Sequence, residues 1–379
     1  HEIARIKAEK AAAGEPVLTL SAGDFSQGTL FAWLETQPGG HAELSLLQAM
    51  GYDAVALGNH EFDEGSGYRA MALGQAKADG VKLPILSANI MFDDTNPQAA
   101  ALHALYSATD LGGTQLAIQP YTIKTLPNGL KVGIFGLLGM EAEAVAPAAG
   151  ATGVTFGNVA GNPTDPVGFI NRVNVAQNMV NTLRAAGCDV VVALSHSGTY
   201  EEQNLANFVD GIDVIVGGHS HDLNSPPIQA GDTVIVQAGS YGRFLGELEL
   251  EYDGGKVGVV GAQAIRIDQD IPTVPAIDAV IQAYVAGLNA FLGFDVLAPY
   301  AETDLDGDGG FNLMDSPPFV ETNLGDLITD SFLATANLVD PANPTRLAVE
   351  GNGVIRAGIP RGGKGRFCFY DLYRAFPLG

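Results

Sequence analysis

The stretch YDAVALGNHEFD, residues 52–63, decides how this chain is read. Residues 54–57 form a short apolar run, closed by Gly58 and followed at once by Asn59, His60 and an acidic turn ending at Asp63. An apolar run this brief, bounded by turn residues, reads as a strand buried on both faces. Its polar residues then lie beyond the C-terminal end of the strand. In an open α/β sheet, ligands bind at that edge because the connecting loops converge there.

The same pattern recurs outward in both directions. Residues 17–20 in PVLTLSAGD lead to Asp24, and residues 190–194 in DVVVALSHSG lead to His196. Residues 214–216 in DVIVGGHSH lead to His219 and His221. Further short runs at 85–87, 131–138 and 233–237 have the same Val/Ile-rich character, and helical patterns at 42–50 and 173–186 supply crossovers. One histidine after one strand is more often structural than functional. Four strands each delivering Asp, Asn or His to one edge is not a packing pattern.

These residue types suit a pair of metal ions. Imidazole and carboxylate bind zinc, manganese, iron, cobalt or nickel without distinguishing them, and the lack of a ligating cysteine argues against a structural zinc. Glycines beside the polar residues (Gly23, Gly58, Gly217 and Gly218) allow tight loops and close approach of ions and phosphate. Two adjacent ions lower the pKa of a bound water to about 7 and clamp phosphoryl oxygens.

Composition narrows the classes. A chain of 379 residues is too long for one compact core and predicts two domains. The formal charge of −24 repels a nucleic-acid backbone, so a polymer is not the expected partner. A small anionic ester can still bind where cations reverse the local sign. No uninterrupted apolar run reaches the roughly 18–20 residues of a bilayer span, so no transmembrane segment is expected. Cys188 and Cys368 have no Cys or His at ligand spacing, and Cys188, just before a strand, reads as a small buried hydrophobe.

After Gly239 the pattern changes. Alternating residues around Asp253-Gly254-Gly255 predict a hairpin, and helical spacing begins near Pro275. The Asp/Gly/Pro-rich stretch 301–318 precedes a second α/β unit near Glu321. The expected organisation is a catalytic domain over 1–270, a linker helix over 271–300 and part of a second domain over 301–379. Asp304, Asp306 and Asp308, with Asp315 at the twelfth loop position, resemble a calcium loop; the bland alternative is an acidic hinge.

The motifs SAGDFSQGT, YDAVALGNHEFD, LSHSG, GGHSH and ETNLGDLITD resemble those of the 5′-nucleotidase branch of the calcineurin-like metallophosphoesterases. The resemblance implies a four-layer αββα sandwich with a partial second α/β substrate-binding domain. It implies hydrolysis of phosphate monoesters, 5′-nucleotides in particular, by a water activated between two divalent metal ions. Asp24 would bridge the metals, Asn59, His196 and His219 would complete one site, and His221 would serve the other. His60 would assist the transferring phosphoryl group or the leaving oxygen, oriented by Asp63. The family also takes two ligands from an Asp-x-His motif on a strand upstream of the opening helix; this chain carries no such motif, so a fragment cut at both ends with one incomplete metal site is expected.

In the second domain, Asn352, Gly353 and Arg356 match a Gly-rich segment that holds substrate, while Phe376 and Leu378 stand where the family places a base-stacking aromatic. Leu378 in place of Phe keeps two readings open: a broader phosphatase, or a 2′,3′-cyclic nucleotide phosphodiesterase. A reading of another class is a non-catalytic calcium-binding surface protein. The resemblance places the parent protein in the periplasm or outside the cell.

Overall fold

A computed structural model of the chain describes residues 1–26, 28–159, 164–268, 270–301, 323–349 and 367–375. Contacts divide the chain into two compact units. One comprises His1–Ser26 and Glu35–Ile281, the other Gln27–Leu34 and Gln282–Gly379.

The first unit is built on two sheets. In one, Leu20–Ser21, Ala54–Ala56, Ile85–Leu86 and Ile118–Gln119 run parallel in that order. The other has six strands in the order Ile228–Ala230, Thr233–Val236, Val214–Gly217, Val190–His196, Lys131–Leu138 and Tyr121–Thr125. Its four central strands are parallel and its two edges antiparallel. Three apolar layers follow from this arrangement. Leu73, Leu83, Leu102 and Phe156 pack around the four-stranded sheet with its helices. Ala176, Val180, Leu183 and Leu205 line the helical cover of the six-stranded sheet. Ala54, Ala56, Leu86, Ile134, Val192 and Leu194 meet between the two sheets. Helix, sheet, sheet, helix is the expected αββα order. It accounts for the apolar strands: every residue of Val190–His196 is buried, because both faces are covered.

Helix Pro166–Ala185 begins seven residues before the helical spacing alone suggests. The Asp165 carboxylate accepts from the Val167 N–H at 2.9 Å, and Pro166 takes the first turn, where a missing N–H costs nothing. Its buried face is Gly168, Arg172, Ala176, Val180 and Leu183, the stripe of an amphipathic helix. The antiparallel strand Tyr121–Thr125 was not anticipated. The expected hairpin is present as Phe244–Asp253 and Lys256–Arg266, with Gly254 and Gly255 at φ 56° and 102° in the turn.

A helix runs over Pro275–Leu292, where helical spacing is expected to begin near Pro275. Among the described residues it is the one helix long and apolar enough, by length and composition only, to cross a membrane, and Asp278 interrupts its apolar run. In the second unit, Trp33 packs edge-on against Phe369 and Tyr373, at centroid distances of 6.2 and 5.3 Å. Helix Asn323–Val339 begins within the ETNLG motif. Cys188 is buried as expected, and both cysteines are free.

Candidate active site

Four strand ends deliver the predicted polar residues to one edge of the first unit. Asp24 follows Leu20–Ser21, Asn59 and His60 follow Ala54–Ala56, His196 ends Val190–His196, and His219 and His221 follow Val214–Gly217. Asp24, His219, His221 and Tyr241 are the described non-glycine residues with positive φ, at 57°, 77°, 61° and 57°. Such backbone costs free energy and gathers at functional sites, where surrounding structure enforces it.

Side chains of four of these residues are joined. His196 Nε2 lies 3.1 Å from Asp24 Oδ2 and 3.1 Å from Asn59 Oδ1. His219 Nδ1 lies 3.0 Å from the same Asn59 oxygen. His196 Nδ1 donates to the Ala22 carbonyl at 2.7 Å. Both ring nitrogens of His196 therefore face oxygens that only accept, and the ring satisfies them as an imidazolium. Burial opposes charge on His196, but the Asp24 carboxylate beside it raises its pKa. Burial likewise works against the Asp24 anion, and the His196 charge outweighs it, so Asp24 ionises well below the usual carboxylate range. His219 goes the other way: burial first, then repulsion from His196, lowers its pKa to about 4 and keeps it neutral.

This donor set fits a divalent cation. A carboxylate, an amide oxygen and two imidazoles converge, and a proton on His196 supplies the positive charge that a metal would bring. Among the described residues, no three His, Cys, Asp or Glu side chains close on one point by themselves. Asn59 Oδ1, which touches both imidazoles, is what links the group. His221 stands beside it with its ring 5.2 Å from that of Tyr241.

His60 is set apart from this cluster and tied to it. Its backbone N–H donates to Asp24 Oδ1 at 3.0 Å, while its ring Nδ1 meets Asp63 Oδ2 at 2.7 Å. The Asp63 carboxylate only accepts, so Nδ1 carries a proton. Two glycines allow the Asp24 and Asn59 loops to touch. A Cβ on Gly58 would lie 2.1 Å from Asp24 Oδ1, and one on Gly23, at φ 103°, would lie 2.6 Å from the Gly58 nitrogen.

Sequence reasoning passed over two buried acids here. Glu61 lies inside the GNHEFD motif, where an acid between histidine and phenylalanine gives no sign of burial, yet it is 1% exposed. Glu202 is fully buried beneath the glycines that precede His219. The proposed substrate residues Asn352, Gly353, Arg356, Phe376 and Leu378, and the calcium-loop residues Asp304, Asp306, Asp308 and Asp315, lie outside the described residues.

Comparison with known proteins agrees with this geometry. Residues 1–223 match the calcineurin-like phosphoesterase family. A 5′-nucleotidase of Bos taurus is 30% identical over 96% of this chain and 59% of its own length. A trifunctional nucleotide phosphoesterase of Bacillus subtilis is 28% identical over 96% of this chain and 24% of its own. The crystal structure of a 5′-nucleotidase precursor from Thermus thermophilus superposes with a TM-score of 0.70 at 28% identity, covering 98% of this chain and 66% of that one. The chain thus spans about three-fifths of its bovine relative. With more than half its length matched, and the family's strand-end polar residues gathered at one sheet edge, the chain belongs to the calcineurin-like phosphoesterase family.

Proposed function

We propose that this chain hydrolyses phosphate monoesters, 5′-nucleotides in particular, with two divalent metal ions. The observation that carries the reading is the convergence of Asp24, Asn59, His196 and His219 beside the His60–Asp63 pair. Asp24, Asn59, His196 and His219 would hold one cation, and Asp24 with His221 would contribute to the other. When bound, the cations supply an activated water and neutralise charge on the phosphoryl oxygens.

The chain's own residues do the rest. Asp63 accepts from His60 Nδ1–H and so fixes the ring's orientation and tautomer. As an imidazolium, His60 would keep its Nδ1–H on Asp63 and give its Nε2 proton to the departing oxygen as the ester bond breaks, returning to the neutral Nδ1–H form until it takes a proton from solvent. Ala22 holds the His196 ring through its carbonyl.

Residues 1–270 would form the catalytic domain, 271–300 the linker helix and 301–379 part of the substrate-binding domain. Arg356 would pair with phosphate, and Asn352, Gly353, Phe376 and Leu378 would line the nucleoside site. The parent protein would work in the periplasm or outside the cell. Leu378 and the trifunctional relative favour keeping a second reading, a phosphoesterase of broader range that includes 2′,3′-cyclic nucleotides.

The test is hydrolysis of 5′-AMP, a 2′,3′-cyclic nucleotide and a sugar phosphate by the full-length parent, with and without added Mn2+ or Co2+. Metal-dependent release of phosphate from 5′-AMP, with the sugar phosphate at least tenfold slower, is expected; equal rates on all three would remove the nucleotide preference. His60→Ala should cut turnover by about 10²–10⁴-fold while metal content stays at the wild-type level. Loss of metal instead would contradict the role given to His60.

A further inference from the structure

The side chain of Glu61 binds two loops at once. Its Oε2 accepts from the Asp24 N–H at 2.9 Å and from the Gly58 N–H at 2.5 Å. Its Oε1 accepts from the Phe25 N–H at 2.7 Å, the Ser26 N–H at 3.0 Å and the Ser26 hydroxyl at 3.1 Å. Three successive N–H groups of one loop and one of the other therefore point at a single carboxylate. Those two loops carry Asp24 on one side and Asn59 with His60 on the other.

The main chain of Glu61 is held as well. The Arg69 Nε–H donates to the Glu61 carbonyl at 2.7 Å, and Arg69 Nη2 lies 3.3 Å from Glu35 Oε2. Arg69 and Glu35 are 1% and 4% exposed, so this support has little freedom to shift. Asp24 needs such support, because its backbone sits at φ 57°, where only glycine rests at no cost.

We propose that Glu61 is a positioning residue for the metal site: its carboxylate locks the Asp24 loop onto the Asn59–His60 loop and so sets the distance between their donor atoms. The inference rests on the metal-site reading above. It assigns Glu61 no contact with metal or substrate. Groups that orient ligands from behind commonly change metal affinity by about 10–100-fold when replaced.

The test uses Co2+ binding, followed by titration calorimetry and by the visible absorption of the bound ion, on the full chain. Glu61→Gln places an amide N–H₂ against backbone N–H donors. It should weaken Co2+ binding by about 10–100-fold and alter the absorption band, with far-UV circular dichroism retained. Glu61→Asp keeps the charge but is one methylene short; it should fall between wild type and Glu61→Gln, and it serves if the glutamine variant does not fold. Glu143→Gln is the control. That carboxylate also accepts from two backbone N–H groups, of Phe156 and Asn158, and pairs with Arg172, but it touches neither loop. It should lower the melting temperature and leave the Co2+ affinity and spectrum unchanged. Wild-type affinity and spectrum in folded Glu61 variants would overturn the role of Glu61 alone. Absence of Co2+ binding by the unsubstituted protein would overturn the metal-site reading and this inference with it.

Discussion

Glu202 offers a direct measurement of what the strand-end loops cost the fold. Its side chain is fully buried under the Gly217–Gly218 turn that leads into His219. Its Oε1 receives a long contact from the Gly218 N–H, at 3.4 Å, Ser195 and the Ser197 N–H lend the carboxyl smaller support, and its Oε2 is buried with no hydrogen-bond partner. A Cβ on Gly217 would lie 2.2 Å from that Oε2, so the turn passes directly over the carboxyl. Burial dominates and pushes its pKa from an ordinary 4.5 up to about 8, against weaker opposition from the Gly218 N–H and the His196 charge. Between those values the unfolded chain has released a proton that the folded chain retains. The folded state binds more protons, so stability falls as pH rises. With both values in the linkage relation, the loss is about 2.5 kcal/mol between pH 5 and 7 and about 1.4 kcal/mol more by pH 9.

The perturbation is Glu202→Gln, which cannot ionise. Urea unfolding followed by far-UV circular dichroism, in chelator, at pH 5, 7 and 9, gives the stability of both proteins. Circular dichroism is the right probe because the sole tryptophan, Trp33, lies in the second unit. Other groups titrate over this range in both proteins, so the difference between the two curves isolates Glu202. The variant should gain about 2.5 kcal/mol on the wild type between pH 5 and 7, whatever its absolute stability. Curves that stay parallel to within about 0.5 kcal/mol would mean that Glu202 is ionised in the fold, and the argument from burial would be wrong.

Asp63→Asn should lower kcat by about 10²–10⁴-fold with metal content unchanged, because an amide placed 2.7 Å from His60 Nδ1 no longer selects the tautomer; atomic absorption beside steady-state kinetics checks both halves. Gly58→Ala should part the Asp24 and Asn59 loops, lowering stability by about 1–3 kcal/mol or more and weakening Co2+ binding, since its Cβ would fall 2.1 Å from Asp24 Oδ1. Unchanged calorimetric affinity in that variant would refute the close approach. Arg172→Met removes one partner of a buried pair in which Arg172 Nη2 lies 2.7 Å from Glu143, and should cost about 3–5 kcal/mol in urea unfolding. Asp165→Ala deletes a helix cap and should cost about 1 kcal/mol by the same assay.

The contrast between Asp24 and Glu61 explains which parts of the site the sequence made legible. Asn59, His196 and His219 stand at or just past the ends of buried strands and Asp24 just past the half-buried Leu20–Ser21, and all four strands announce themselves as short apolar runs. Position beyond the strand end then gives direction, and direction gives convergence. The same logic made the two-sheet core readable: Lys131–Leu138 is found where its apolar run lies, and Val190–His196 extends its run by two residues. Tyr121–Thr125 escaped because an antiparallel edge strand alternates, here with Lys124 and three threonine or tyrosine side chains, and so lacks the continuous apolar signal. Glu61 and Glu202 escaped for a different reason. Sequence pattern marks burial through apolar residues, whereas these acids are buried because N–H groups and glycine turns from distant segments close over them. Gly23 and Gly58 stood out as glycines, but not as partners, because their mutual contact spans two strands. What one sequence could not display was therefore the support behind the ligands: its parts are ordinary residues singly and become specific only when two loops are brought to one carboxylate.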